Sequence, residues 1–313
     1  MTASPDAAPY ALEFTEDAAS FRDAAGAHLA LDPVLTTVVS TVTDRAVDAD
    51  ARGVARPAHP RWWVTVRQGG EVVGAAMRTA PFEPHPLFVL PMPEEAAREL
   101  ARALVARGEP VTGVNGALPA TRTLAEETAA LSGGAASVVE HTRLFELGDL
   151  VAPRPVPGQL RAATVGEVGL ALAWFGAFGT DAAEQAGRGG SHATEDLTEP
   201  EMLERIEDGR IWLWEDVAGE VVHLTAYNPP SYGVARVGPV YTPKEQRGRG
   251  YASAAVAALS RRLQQAGHRV CLFTDQANPT SNKIYQALGF RPVVDMANLV
   301  ITTPAGRSGE PGP

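Results

Sequence analysis

The sequence predicts an α/β (α+β) protein of two halves, each a mixed, mostly antiparallel sheet flanked by helices. Three observations carry this prediction. Short apolar runs with strand character alternate along the chain with longer runs of helical periodicity. A proline-rich connector, Val151 to Gly158, divides the 313 residues into two stretches of similar length, and the total exceeds the usual size of a single domain. The order of elements in the first stretch returns in the second, as an internal duplication would leave it.

In the first stretch, residues 1–150, Trp62 to Arg67 and Val72 to Met77 form a hairpin around Gln68-Gly69-Gly70-Glu71. Leu87 to Leu90 is a strand, Pro93 to Arg107 a helix, Pro110 to Val114 a strand, Leu118 to Leu131 a helix, and Ser137 to Leu147 a last strand. Residues 151–159 are a linker, because prolines favour an extended connector. In the second stretch, residues 160–303, Leu160 to Thr164 is a strand. Helical material then runs to about Arg205, with a glycine-rich interruption from Gly187 to Ser191. Ile211 to Glu215 and Val221 to Tyr227 form a hairpin about the turn Val217 to Glu220. Val237 to Tyr241 is a strand, Ala252 to Ala266 a helix and Val270 to Thr274 a buried second strand. Asn278 to Asn282 is a turn rich in helix-cap residues. A short helix follows and stops at Gly289, and Pro292 to Ile301 closes the sheet. Residues 304–313, rich in Gly and Pro, read as a disordered tail.

Composition limits the function. A formal net charge of −10 argues against a general nucleic-acid or anionic-membrane surface, which would need clustered Lys and Arg. No apolar run approaches the ~20 residues that span a bilayer, and Met1 to Tyr10 lacks a signal-peptide pattern. The single cysteine, Cys271, lies in an apolar strand run, excludes an internal disulfide and reads as a small core residue. These features predict a cytoplasmic protein. The scattered histidines and lone cysteine offer no metal-ligand spacing, and no Gly-x-Ser-x-Gly nucleophile turn is present.

The stretch with chemical content is Arg247-Gly248-Arg249-Gly250-Tyr251-Ala252, which joins a strand to a helix. The first N–H groups of a helix lack intrahelical acceptors, and their dipoles favour negative charge. Gly248 and Gly250 let the backbone approach a phosphate, while Arg247 and Arg249 add positive charge beside it. The helix that follows carries an apolar stripe, Ala252, Val256, Leu259 and Leu263, which packs on the sheet and fixes the first turn in place.

Arg247, Gly250 and Ala252 in that spacing, followed by a strand and then by Asn278, Tyr285, Gly289 and Phe290, resemble the acyl-CoA-binding core of the GNAT superfamily of N-acetyltransferases. The resemblance is sharp from Val237 to Phe290 and extends more loosely from Leu160 to Ile301. It implies acetyl-CoA or another acyl-CoA as co-substrate and no metal. It places the cofactor against Val240, Tyr241, Thr242, Arg247, Gly248, Arg249, Gly250, Tyr251, Ala252, Ser253, Asn278, Ser281, Asn282 and Tyr285. Pantetheine amides would pair with the strand that ends at Thr242, where Gly238 and Pro239 read as a bulge, and the Val240 N–H would face the thioester carbonyl. The resemblance gives Tyr285 the catalytic role of stabilising or protonating the departing thiolate.

The first half differs at the corresponding step. Pro91-Met92-Pro93-Glu94-Glu95 puts two residues without N–H groups and two carboxylates where a pyrophosphate would sit. This reads as a degenerate GNAT-like repeat without acyl-CoA binding; an unrelated α/β domain is the alternative. The general base is not assigned: His223, Glu215, Tyr227, Tyr241 and Asp275 all fall on elements that border the cleft. The expected activity is acetyl transfer to a primary amine of a small molecule or peptide in a ternary complex. Two alternatives stand beside it: an enzyme similar to mycothiol synthase, acting on a thiol-bearing sugar amine, and a non-catalytic acyl-CoA sensor.

Overall fold

The computed structural model describes residues 9–187 and 197–303. The tail expected at 304–313, and the interruption at Gly187 to Ser191 beyond its first residue, lie outside them. The elements in order are β1 (Tyr10–Thr15), α1 (Ala18–Leu29), α2 (Thr37–Ala51), β2 (Trp62–Gln68), β3 (Glu71–Arg78), β4 (Leu87–Val89), α3 (Glu94–Ala106), β5 (Gly113–Ala117), α4 (Ala120–Leu131) and β6 (Ala135–Leu147). The second half adds β7 (Gln159–Ala162), α5 (Val168–Gln185), α6 (Glu199–Glu207), β8 (Ile211–Glu215), β9 (Val221–Ser231), β10 (Val234–Tyr241), α7 (Tyr251–Gln265), β11 (Arg269–Asp275), α8 (Pro279–Ala287) and β12 (Phe290–Thr302).

All the strands join one sheet in the order β1-β2-β3-β4-β5-β12-β6-β11-β10-β9-β8-β7. The two halves repeat the same order outward from the centre, and most neighbours are antiparallel. The exceptions are β4 with β5 and β10 with β11, which run parallel. At the centre the halves exchange strands. β12 pairs with β5 of the first half, from Met296↔Ala117 to Val300↔Gly113, while β6 pairs with β11 of the second, from Cys271↔Glu146 to Asp275↔Thr142. The two exchanged strands pair with each other along their whole length, Phe290↔Leu147 to Thr302↔Ala135. The linker therefore divides the sequence without dividing the sheet, since each half is closed by a strand from the other.

Helices cover both faces. On one, α3 and α4 pack on Leu87, Val89 and Val114, and α7 and α8 pack on Val237, Val270 and Leu272. On the other, α1 and α2 cover Trp63, Ala75 and Met77, and α5 and α6 cover Ile211, Leu213 and Leu224. The apolar stripe on α7 packs as its period requires, with Val256, Leu259 and Leu263 buried.

Two sequence expectations are revised. The strand expected at Pro110 to Val114 is β5, shifted to Gly113–Ala117. Gly116 lies within the strand, where the Val89 carbonyl occupies the space a Cβ would need. The chain before Trp62, to which no element is assigned from sequence, supplies β1, α1 and α2.

Candidate active site

The site begins where two parallel strands part. β10 pairs with β11 only from Val234↔Arg269 to Val237↔Leu272. Beyond Val237, β10 continues to Tyr241 on β9 alone, with a register shift between Val237 and Val240, while β11 continues to Asp275 on β6. The expected irregularity at Gly238-Pro239 sits in that shift; proline has no N–H to give the ladder, and Gly238 has φ +152°. The wedge between the diverging strands opens toward the N-termini of α7 and α8.

Gly250 is the N-cap of α7, in the left-handed region at φ +87°, and no side chain caps the helix. Gly248 has φ +77°. Such backbone conformations strongly favour glycine. Ala254 N–H is the first to bond back into the turn, to Gly250 O. Among the described residues, the N–H groups from 248 to 253 donate no hydrogen bond. A run of unfilled donors at the positive end of a fifteen-residue helix favours negative charge.

A cavity of about 330 Å³ connects the wedge with this turn. Of the residues named from the sequence, Val240, Tyr241, Thr242, Arg247, Gly248, Arg249, Gly250, Tyr251, Ala252, Ser253, Ser281 and Tyr285 line it. Asn278 and Asn282 do not. Asn278 caps α8, accepting from Ser281 N at 3.1 Å. Asn282 is spent inside the turn, donating to Asn278 O at 2.8 Å and Asp275 O at 3.0 Å and accepting from Thr274 Oγ1 at 2.5 Å. In the structure their side chains hold the β11–α8 turn.

Arg247 also departs from expectation. Its guanidinium does not stand free beside the turn: Nη2 lies 2.7 Å from Asp181 Oδ2, and Nε donates to Thr242 O at 2.9 Å. Asp181 accepts a further bond from Tyr241 Oη at 3.1 Å and lies 3.4 Å from Lys244 Nζ, which also pairs with Glu184. Gln185 Oε1 accepts from Asn278 Nδ2 at 3.1 Å. Sequence reasoning missed this set. Trp174, Phe178, Asp181, Ala182 and Gln185 recur at helical spacing, so the signal was one face of α5 turned toward β10, where Trp174 packs on the Tyr241 ring at 5.9 Å.

Tyr285 is 7% exposed, its ring set edge-on to Phe290 at 5.8 Å. Its hydroxyl makes no hydrogen bond among the described residues, and its side chain lines the cavity. Burial pushes its pKa well above the usual phenol value, so it stays protonated at any physiological pH.

Of the candidate bases, His223, Glu215 and Asp275 are engaged elsewhere, as Tyr241 is with Asp181. His223 is fully buried; its Nδ1 lies 2.7 Å from Thr242 Oγ1, and burial lowers its pKa to about 3. Glu215 holds Arg161 at 2.6 Å, and Asp275 accepts from Ala277 N at 2.8 Å as a turn residue. Among the described residues no cluster of His, Cys, Asp and Glu suits a metal ion.

The candidate site is thus a splayed parallel pair of strands beside a glycine-rich helix start, and comparison with known proteins shows what the chain is similar to. Residues 218–298, from the β8–β9 turn into β12, match the FR47-like protein family. Solved structures match nearly the whole chain. A GCN5-related N-acetyltransferase from Sphaerobacter thermophilus is 17% identical with TM-score 0.59, over 95% of this chain and 98% of that one. A tandem GNAT protein from the clavulanic acid biosynthesis pathway is 17% identical with TM-score 0.53, over 93% and 98%. A Drosophila protein is 10% identical with TM-score 0.63, over 93% and 98%. No curated protein sequence matches the chain. The chain has the GNAT fold, built twice in tandem.

Proposed function

We propose that the protein is an acyl-CoA-dependent N-acyltransferase that moves the acetyl group of acetyl-CoA to a primary amine within a ternary complex. The observation that carries this is the continuity of one cavity from the unfilled N–H groups of 248–253 to the unpartnered hydroxyl of Tyr285. The N–H groups suit a pyrophosphate, and the free edge of β10 beyond Val237 suits the amides of pantetheine. Val240 N–H is the candidate donor to the thioester carbonyl. The amine's lone pair forms the new C–N bond, the C–S bond breaks, and the electron pair leaves on sulfur.

Tyr285 acts on that sulfur. Its raised pKa makes full proton transfer to a thiolate of ordinary pKa ~8.5 unfavourable, so its contribution is a hydrogen bond that strengthens as negative charge develops. The remaining acceleration comes from holding amine and thioester together. The N-terminal half binds no acyl-CoA. Glu94 and Glu95 occupy the first turn of α3, whose N-cap is Pro93, and face an anion with carboxylates. Cys271 is buried and its thiol pushed up to about 11 by burial, which leaves it unreactive. No helix is long and apolar enough to cross a membrane among the described residues.

The reading is tested by incubating the protein with acetyl-CoA and a panel of small amines and peptide N-termini, and weighing the products. An acetylated amine formed only with protein present supports it. Tight acetyl-CoA binding with no acylated product would leave a sensor in its place.

A further inference from the structure

A second cavity, of about 280 Å³, lies between the halves on the sheet face covered by α2. That face is opposite α3, so the cavity stands over the parallel pair β4·β5, the first half's counterpart of β10·β11. The pair has not opened as its counterpart has. The Val89 carbonyl sits against Gly116, and β4 and β5 stay paired to Val89↔Gly116 where β4 ends. No thioester enters there, yet a pocket remains.

Its polar lining is unusual for the interior face of central strands. Asn115 on β5 and Asn228 on β9 are half-buried, and neither side chain makes a hydrogen bond among the described residues. Arg236, paired with Asn228 across β10 and β9, joins them, its Nη1 3.4 Å from Thr37 Oγ1, and Arg45 of α2 stands at the rim. Among the described residues no carboxylate lines the cavity. Half-buried amides without partners cost desolvation that core packing does not return. The rest of the lining includes Met77, Phe82 and Phe88, apolar and partly aromatic.

We propose that this cavity is a binding site for a small organic carboxylate with an apolar body. Guanidinium groups and carboxamide N–H groups suit a carboxylate, whose fork they match in plane, and Phe82, Phe88 and Met77 take the hydrocarbon. The volume, at the lower end of the ~300–1,000 Å³ of small-molecule sites, limits the ligand to a single ring or short chain. The degenerate half thus keeps a ligand site after losing the acyl donor. The site does not depend on the acyltransferase reading, because none of its residues lines the acyl-CoA cavity.

The test is calorimetry on the full chain saturated with CoA, so that the other cavity is closed to the probe. Three probes share one body: 3-phenylpropionate, its neutral amide, and phenyl phosphate. Saturable binding of the carboxylate at one per chain is expected, at least about tenfold tighter than the amide. Arg236→Gln should weaken it by a similar factor. Because Arg236 also touches Thr37, Asn228→Leu provides a second variant, scored only if its melting curve matches the wild type. Equal binding of carboxylate and amide, binding that survives both substitutions, or no binding at millimolar concentration would each overturn the proposal. A tighter fit for phenyl phosphate would overturn the carboxylate assignment. Failure of amine acetylation would leave the result of this experiment unaffected.

Discussion

Replacing Gly250 by Asp and by Asn separates the backbone and charge requirements of the phosphate turn. At φ +87° an ordinary L-residue costs about 1–2 kcal/mol, and Asn and Asp bear the conformation best. A Cβ at this position would lie 3.0 Å from Val156 Cγ2, so both variants push on the same neighbour and lose similar stability. They differ in charge alone. A carboxylate about 5 Å from a phosphate held by the N–H groups of 248–253 repels it by about 1 kcal/mol per charge in a water-like medium and about 3 kcal/mol at an effective dielectric of ~20. The expected gap in CoA affinity between Asp and Asn variants is therefore about 5- to 150-fold. Isothermal titration at low salt measures it, with thermal melts confirming that both variants fold. The gap should shrink toward ~1 M salt, where screening falls to about 3 Å. Equal affinity of the two variants, both near wild type, would show that no phosphate sits at this helix start.

Tyr285→Phe should leave acetyl-CoA affinity and stability nearly unchanged, within ~1 kcal/mol, because the hydroxyl has no protein partner to orphan; turnover should fall ~10²-fold or more. His223 is buried neutral with its pKa lowered to about 3 by burial, whereas in the unfolded chain it titrates near the ordinary imidazole value of about 6.5. The unfolded state thus binds the extra proton first, and stability is lost as pH falls from about 6.5 toward 3. Melting curves between pH 7 and 4.5 should slope more steeply for wild type than for His223→Gln, and parallel slopes would contradict the assignment. Residues 1–158 and 159–313 expressed apart should fail to give cooperative melts, because each lacks its closing strand, and co-expression should restore one. Neutralising Glu94 and Glu95 should leave CoA stoichiometry at one per chain; a second site in calorimetry would mean that the first half still binds the donor.

The sequence made the elements legible and left their pairing hidden. The α7 stripe and the β2–β3 hairpin follow from periodicity and turn residues, which act locally. The exchange of β6 and β12 does not, because both are long strands of similar pattern and nothing local says which neighbour each will take. The end of β5 lies beyond the expected Val114 because Gly116 answers to the Val89 carbonyl, a partner remote in sequence. The phosphate turn was visible because glycine is needed there for a conformation that the local chain itself adopts. Asp181 was not, since a single acid on an amphipathic helix has no signature until Arg247, Tyr241 and Lys244 are brought to it by the fold. Asn278 and Asn282 are legible as turn and cap residues, and the turn's own carbonyls and N–H groups take their side chains.

The most direct test of the account is release of CoA from acetyl-CoA, followed with a thiol reagent across the amine panel, for wild type and Tyr285→Phe side by side. The account predicts release that requires both protein and amine and that falls sharply in the variant while acetyl-CoA still binds. Amine-dependent release at equal rates in the two proteins would contradict the role of Tyr285, and no release with any amine despite tight acetyl-CoA binding would contradict the transferase itself.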